Sequence, residues 1–184
     1  MAIFLIGYMA CGKTTLGQAL AEAGFAPFVD LDQEIERRSG LSPAQWFDSR
    51  GEAAFRAAEM EVLREIAAEN PRAVIAAGGG TPCNPSAMDL MLGAGTVVWL
   101  EASLERTVDR LLEADGKRPL VASMSRAELV EFIPGHLESR IPHYRRAHIR
   151  FDSSLLDNED ELSRTVARFI SLFNNRLPAG RSDR

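Results

Sequence analysis

Short apolar runs alternate with amphipathic stretches along this chain. Residues 2–6 (Ala-Ile-Phe-Leu-Ile) and 73–77 (Ala-Val-Ile-Ala-Ala) are continuously apolar, and 96–100 nearly so. Runs of this length between turn residues predict strands covered on both faces. Residues 27–30 and 148–151 predict two more. Between them the period changes. Residues 15–23 predict a helix, and 33–38 another that stops at Gly40. Residues 43–47 predict a short helix, and 52–70 a long one that carries Phe55, Met60, Val62, Leu63, Ile66 and Ala67. Weaker patterns cover 85–92 and 104–112. Ser125 with Glu128 three residues on forms a capping box, and Asn158 caps a last amphipathic helix with Leu162, Val166, Phe169, Ile170 and Phe173.

Strands alternating with helices predict an α/β fold, a three-layer α/β/α arrangement around a central five-stranded parallel sheet. Ligands in such sheets sit at the carboxyl ends of the strands. We expect a single domain over residues 1–173 and a frayed polar tail over 174–184. Pro134-Gly135 interrupts what should be one helix over 125–140. A proline inside a regular helix costs about 3 kcal/mol, so a kink or break is expected just before it.

Three predicted strand ends carry chemistry. The first opens into Gly7-Tyr8-Met9-Ala10-Cys11-Gly12-Lys13-Thr14. The pattern G-x-x-x-x-G-K-T between strand and helix is a phosphate-binding loop. Its glycines let the backbone aim N–H groups inward, and the helix start adds a positive dipole. Met9, Ala10, Cys11, Gly12, Lys13, Thr14 and Thr15 are the expected nucleotide contacts. Lys13 is a mobile charge for the β- and γ-phosphates, and the Thr14 hydroxyl is a natural Mg²⁺ ligand. The second strand end carries Asp30-Leu31-Asp32, whose two acids face one way if the strand continues through Leu31. The third carries Gly78-Gly79-Gly80, an exposed backbone that a ligand can approach. Together they suit a two-substrate phosphotransferase. Residues 113–124 are polar, contain Gly116 and lack an apolar period, and they predict a lid that excludes water on closing. Cys11, beside a helix start and close to Lys13, has two readings: a small filler, or an exposed thiol of raised reactivity.

Charge and composition narrow the picture further. The 184 residues have a net charge of −5 and no basic patch, which argues against a nucleic-acid partner. No apolar run reaches membrane-spanning length, and the N-terminal run is too short and lacks the basic flank of a signal peptide. Two cysteines make neither a disulfide framework nor a zinc site. A cytoplasmic protein is expected, with monomer as the default.

The motifs together resemble those of shikimate kinases, over about residues 3–173. The resemblance rests on Gly7-x4-Gly12-Lys13-Thr14, Val29-Asp30-Leu31-Asp32, Gly51-Glu52-Ala53-Ala54-Phe55-Arg56-x2-Glu59, Gly78-Gly79-Gly80, Arg118-Pro119-Leu120 and Arg140-x3-Tyr144-x2-Ala147. It implies a P-loop kinase that uses ATP and Mg²⁺ to phosphorylate the 3-hydroxyl of shikimate, in the biosynthesis of chorismate and aromatic amino acids. It also implies roles. Asp32 would bind acceptor hydroxyls and act as base, with Lys13 and Arg118 as its catalytic partners. Arg56 and Arg140 would hold the carboxylate, and Gly78, Gly79 and Gly80 would line the acceptor pocket. Phe47 and Phe55 would wall the ring, and Arg110 would pack on adenine. Arg118 would reach the transferred phosphate from the lid, and Asp30 would reach the metal through water. Some of these roles follow from chemistry alone, since arginine offers a carboxylate fixed bidentate charge. Arg56 taken singly is equally explained by pairing with Glu52 or Glu59, and Arg140 by a surface role. The chain departs from the pattern where many members carry glycine and this one carries Ala10, a strained choice if that position needs positive φ. Another small-molecule kinase, such as a gluconate kinase, and a nucleotide-binding regulator without phosphotransfer are the competing readings.

Overall fold

The structure is a computed structural model that describes residues 1–114 and 120–174. Five strands form one parallel sheet: β1 (Ala2–Ile6), β2 (Phe28–Asp30), β3 (Val74–Ala76), β4 (Gly95–Glu101) and β5 (Ile149–Asp152), in the order β2-β3-β1-β4-β5. The α/β class and five-stranded parallel sheet expected from the apolar runs are therefore present. The register sets three carboxyl ends side by side: Asp30 pairs with Ala76, and Ala76 pairs with Leu5. The loops that follow β2, β3 and β1 thus open at one place.

Alternate strand residues face opposite layers, as the pleat requires. Phe4, Ile6, Ile75 and Val97 pack with Leu31, Ile35, Leu63, Met88 and Ile133. Ile3, Leu5, Val74 and Leu100 pack on the other side with Leu16, Leu20, Val166 and Phe169. The first layer comprises α2 (Leu31–Ser39), α3 (Pro43–Glu69), α4 (Pro85–Ala94), α5 (Leu104–Glu113) and α6 (Arg126–Glu138); the second comprises α1 (Lys13–Glu22) and α8 (Glu159–Asn174). The short α7 (Ile141–Tyr144) follows α6 and adds the fully buried Tyr144 to the first core. Truncating a residue such as Leu63, with no exposed surface, removes about 2–5 kcal/mol.

Of three local expectations, the first holds and two are corrected. The helices expected over 43–47 and 52–70 are the two segments of α3, which meet across a kink at Gly51, whose non-helical φ of 79° and ψ of 166° only glycine adopts freely. A full capping box at Ser42 and Pro43 in the first turn fix its start. Second, α6 passes through Pro134 without a break. The proline is exposed, and Val130, the residue four positions back whose carbonyl loses its helical partner, is 46% exposed as well. The helix ends at Glu138 instead, so Arg140 stands between α6 and α7. Third, β2 stops at Asp30 and α2 begins at Leu31. The two acids do not alternate along a strand.

Candidate active site

The loop after β1 turns through three positive φ angles before α1: Gly7 at 142°, Ala10 at 59° and Gly12 at 95°. Ala10 does occupy the left-handed region, at a cost of about 1–2 kcal/mol for a residue with a Cβ. Its carbonyl is held by Arg110 Nη1 at 3.4 Å. Lys13 Nζ donates to the carbonyls of Gly7 and Tyr8, both at 2.9 Å, and so lies across the loop. A cleft of about 420 Å³ opens above it, lined among others by Ala10, Gly12, Lys13, Thr14 and Thr15.

Cys11 is the small filler and not an exposed thiol. Only 2% of it is accessible, and its side chain joins the apolar core with Leu16, Leu100 and Leu156. The same turn that aims the backbone outward sends this side chain inward. The Cys11 carbonyl accepts from Ser153 Oγ at 2.7 Å, which ties the loop to the segment after β5.

Asp30 caps α2: Oδ1 accepts from the N–H groups of Asp32 and Gln33, at 3.1 and 3.3 Å. A carboxylate there also meets the positive end of the helix dipole. Oδ2 accepts from Thr14 Oγ1 at 2.8 Å. Asp32 sits in the first turn of α2 and lines the cleft beside Lys13, Thr14 and Gly79. Two hard oxygen donors, Thr14 Oγ1 and the Asp30 carboxylate, stand together at the cleft floor. Among the described residues no group of three or more His, Cys, Asp or Glu could hold a metal. That donor set fits Mg²⁺, which takes few protein ligands and fills the rest from phosphate and water.

The glycine run organises the other half of the cleft. A Cβ on Gly78 would lie 2.9 Å from Asp32 Oδ1. On Gly79 it would lie 3.6 Å from Arg140 Nη1, and on Gly80 2.6 Å from Arg56 Nη2. Three successive glycines therefore each abut one of the three acceptor-side groups that the sequence singled out. Both arginines also act on the Cys83 thiol: burial pushes its pKa up, and Arg140 and then Arg56 pull it down. Phe47 and Phe55 stack 4.8 Å apart, with the Arg56 guanidinium 5.9 and 5.3 Å from their ring centres. Phe55 is buried and Phe47 is 38% exposed, so only Phe47 presents a broad face outward.

Arg56 is held from below by Glu59, which is 1% exposed. Glu59 Oε2 accepts from Arg56 Nη1 at 2.8 Å, and Oε1 accepts from Thr81 Oγ1 at 2.6 Å. Burial alone would lower the Arg56 pKa, but the charges and hydrogen bonds of Glu59 and Glu52 together outweigh it and hold the guanidinium above its ordinary value. Tyr144 donates its hydroxyl to the Gly79 carbonyl at 2.6 Å, and burial pushes the phenol far above its usual range. It is a fixed donor that anchors the glycine turn. Sequence reasoning gave Tyr144 no role and offered Glu59 only as a pairing partner of Arg56, a pairing the structure shows, although both lie in the quoted motifs. A signal for Glu59 existed: it falls in register with the buried positions Phe55, Val62, Leu63 and Ile66 of α3. An acid on an apolar stripe requires a partner.

Arg110 lines the cleft from α5. It donates to Asp157 Oδ1 at 2.6 Å and to the carbonyls of Ser153 and Ser154. The edges of its guanidinium are thus fixed. Met9 is partly buried, with its backbone N 3.6 Å from where a Gly79 Cβ would lie. Arg118 and the centre of the expected lid lie outside the described residues, as does the expected tail from 175 onward. No helix among the described residues is long and apolar enough to cross a membrane.

The shikimate kinase family model matches residues 9–171. A shikimate kinase of Bacteroides fragilis is 39% identical over 94% of this chain and 96% of its own length. One from Parabacteroides distasonis is 41% identical over 87% and 92%. Among solved structures, shikimate kinase from Bacteroides thetaiotaomicron superposes with a TM-score of 0.89 at 37% identity, covering 95% of this chain and 98% of that one. Shikimate kinase from Acinetobacter baumannii, solved in complex with shikimate, gives 0.80 at 30% identity, covering 96% and 95%.

Proposed function

The chain belongs to the shikimate kinase family and is an ATP-dependent shikimate kinase of aromatic amino acid biosynthesis; we propose that its residues divide the work of phosphorylating the 3-hydroxyl as follows. Arg56 and Arg140 flank the glycine turn and hold the acceptor carboxylate, with geometry suited to bidentate contact. The Phe47 face packs on the ring. Asp32 accepts a hydrogen bond from the attacking hydroxyl and takes its proton as phosphoryl transfer proceeds. Lys13 and the loop N–H groups stabilise charge on the phosphates. Arg110 presents its guanidinium face to the adenine. Arg118 belongs to the segment after α5 and is assigned to the transferred phosphate.

Thr14 would hold Mg²⁺, with Asp30 reaching it through water, and the ion would supply positive charge that offsets the charge on the phosphates. The transition state is loose, so positioning and charge stabilisation carry most of the catalysis, and proton removal a smaller share. Every group in this scheme comes from one chain, so a monomer suffices, and gel filtration checks that. The two cysteines are free thiols, in keeping with a reducing cytoplasm.

One observation carries the assignment of the acceptor half: Gly78, Gly79 and Gly80 lie against Asp32, Arg140 and Arg56 in turn. A pocket that needs a hydroxyl acceptor and two guanidiniums around bare backbone suits a small anionic polyol. A coupled ADP-release assay with shikimate, gluconate and a nucleoside monophosphate as alternative acceptors tests it. Turnover with shikimate alone is expected. Turnover with gluconate or the nucleotide, or ATP binding without any turnover, refutes it.

A further inference from the structure

Arg140 has a partner that the reaction scheme does not use. Its Nη2 lies 3.1 Å from His136 Nε2 in the last turn of α6. The other ring nitrogen, Nδ1, lies 2.7 Å from Tyr8 Oη. Tyr8 belongs to the phosphate loop. A hydrogen-bonded chain therefore runs from the nucleotide half of the site to a guanidinium of the acceptor half.

The chemistry of the three groups gives this chain a direction. A guanidinium has only N–H donors, so Nε2 must accept. A neutral imidazole has one donor and one acceptor. The proton consequently sits on Nδ1 and is donated to Tyr8 Oη. Burial, and then the Arg140 charge, hold the His136 pKa below its ordinary value of 6.5, so the ring is neutral at pH 7. The groups facing it are the Tyr8 phenol from the phosphate loop, the Arg140 guanidinium and the Phe132 ring of its own helix. Among the described residues no carboxylate lies within ion-pair range of it.

Packing restricts the ring as well. Tyr8 is 4% exposed and meets the imidazole edge-on, with ring centres 5.5 Å apart. Phe132 covers it at 4.9 Å. The imidazole cannot turn over without losing both hydrogen bonds. Arg140 stands between α6 and α7, outside any regular helix, so the backbone alone leaves its long side chain many rotamers.

We propose that His136 is a positioning residue: locked by Tyr8 as the Nδ1–H tautomer, it presents its Nε2 lone pair to Arg140 and fixes the aim of that guanidinium at the acceptor carboxylate. This rests on the reading that Arg140 holds the carboxylate. It adds a coupling of that arginine to the phosphate loop through a single imidazole.

Nitrogen-15 NMR of the labelled protein at pH 7 reports the tautomer directly, with no substrate present. The Nδ1–H form is expected. An Nε2–H form or an imidazolium overturns the proposal. Calorimetric titration with shikimate and, separately, with an ATP analogue gives the second readout. His136→Ala should weaken shikimate binding roughly fivefold, the size of one ordinary net hydrogen bond, and leave nucleotide binding unchanged. His136→Gln keeps an acceptor near Nε2 and should restore most of the affinity. Tyr8→Phe frees the tautomer and should produce a smaller loss in the same direction. In an Arg140→Ala background the His136→Ala effect should vanish. If it persists there, or if nucleotide affinity falls in step, His136 is merely structural and the proposal fails. Should His136→Ala not fold, the tautomer and the Tyr8→Phe titration still decide. Absence of shikimate binding in the unmodified protein would instead refute the functional reading, and the tautomer spectrum would still judge the relay.

Discussion

Gly80→Ala adds one methyl group beside Arg56. The new Cβ would stand 2.6 Å from Arg56 Nη2 and 3.2 Å from its Cζ. The backbone does not object, because Gly80 has φ −95° and ψ −15°, which alanine adopts freely. The clash must therefore be relieved by the guanidinium, the far end of a flexible side chain. It has to retreat by the better part of an ångström, and its hydrogen bond to Glu59 Oε2, now 2.8 Å, lengthens or breaks. A hydrogen bond to a charged group is worth about 1.5–3 kcal/mol. The Arg56 side chain is 26% exposed and can find a second rotamer, so the lower end applies. Lost aim at the acceptor then raises KM for shikimate about tenfold, the equivalent of 1.4 kcal/mol. Stability should barely move. Gly→Ala at a compatible site gains about 0.4–1 kcal/mol from the unfolded chain, which offsets part of the lost contact, so the melting temperature should stay within about 3 °C. Steady-state kinetics with each substrate varied in turn, together with a thermal melt, measure both effects. An unchanged KM in a folded variant would show that Arg56 does not meet the acceptor. A loss confined to KM for ATP would show that the glycine turn serves the nucleotide.

Glu59→Ala strands Thr81 Oγ1 and leaves the half-buried Arg56 with the looser, exposed Glu52 pair at 3.5 Å, so it should cost about 3 kcal/mol and lower the melting temperature by roughly 10 °C, while KM for shikimate rises. Ala10→Gly relieves a left-handed alanine at a strain of about 1–2 kcal/mol, which exceeds the roughly 0.5–1 kcal/mol of added glycine entropy. Calorimetry should show the melting temperature unchanged or raised, and Ala10→Val should lower it. Asp32→Asn should reduce kcat by at least ~100-fold with nucleotide binding nearly intact, whereas Asp30→Asn should raise the Mg²⁺ concentration needed for half-maximal rate. Separate titrations of Mg²⁺ and shikimate distinguish the two, and an exchange of these phenotypes would reverse the assignments.

Features set by local chemistry were legible in the sequence. An apolar run of five residues followed by G-x-x-x-x-G-K-T can do little other than end a strand in a phosphate-binding turn, and the turn is there. The strain at Ala10 was readable for the same reason, because the loop needs positive φ at a fixed place. The acidic pair is a different case. Read as a strand, Asp30-Leu31-Asp32 puts both acids on one face. The structure instead makes Asp30 an N-cap, a role to which aspartate is equally suited. Period and capping compete over three residues, and too short a run cannot decide between them. Cys11 kept two readings, filler and exposed thiol, because a loop sequence does not say which way each side chain turns, and its burial decides for the filler. Pro134 was expected to kink or break α6 because proline removes one helical hydrogen bond, but at this exposed turn the helix continues through it. The bridge from His136 to Tyr8 spans 128 positions and carries no local signal at all.

Asp30 shows why the nucleotide and acceptor halves of this cleft are not independent. One of its oxygens holds the Thr14 hydroxyl, and the other holds the first N–H groups of α2, including that of Asp32. The proposed metal ligand and the proposed base are thereby attached to a single carboxylate at the end of β2. Strand order makes this possible: β3 alone separates β2 from β1, so the phosphate loop and the start of α2 meet across the glycine turn that follows β3. A shift of Thr14 toward an incoming cation must be transmitted through Asp30 to the N-terminus of α2, and Asp32 rides on that first turn. The sheet register thus sets the phosphate loop and the first turn of α2 in a fixed relation to each other. That preorganisation matters most for a transfer whose transition state asks little of the protein beyond position and charge.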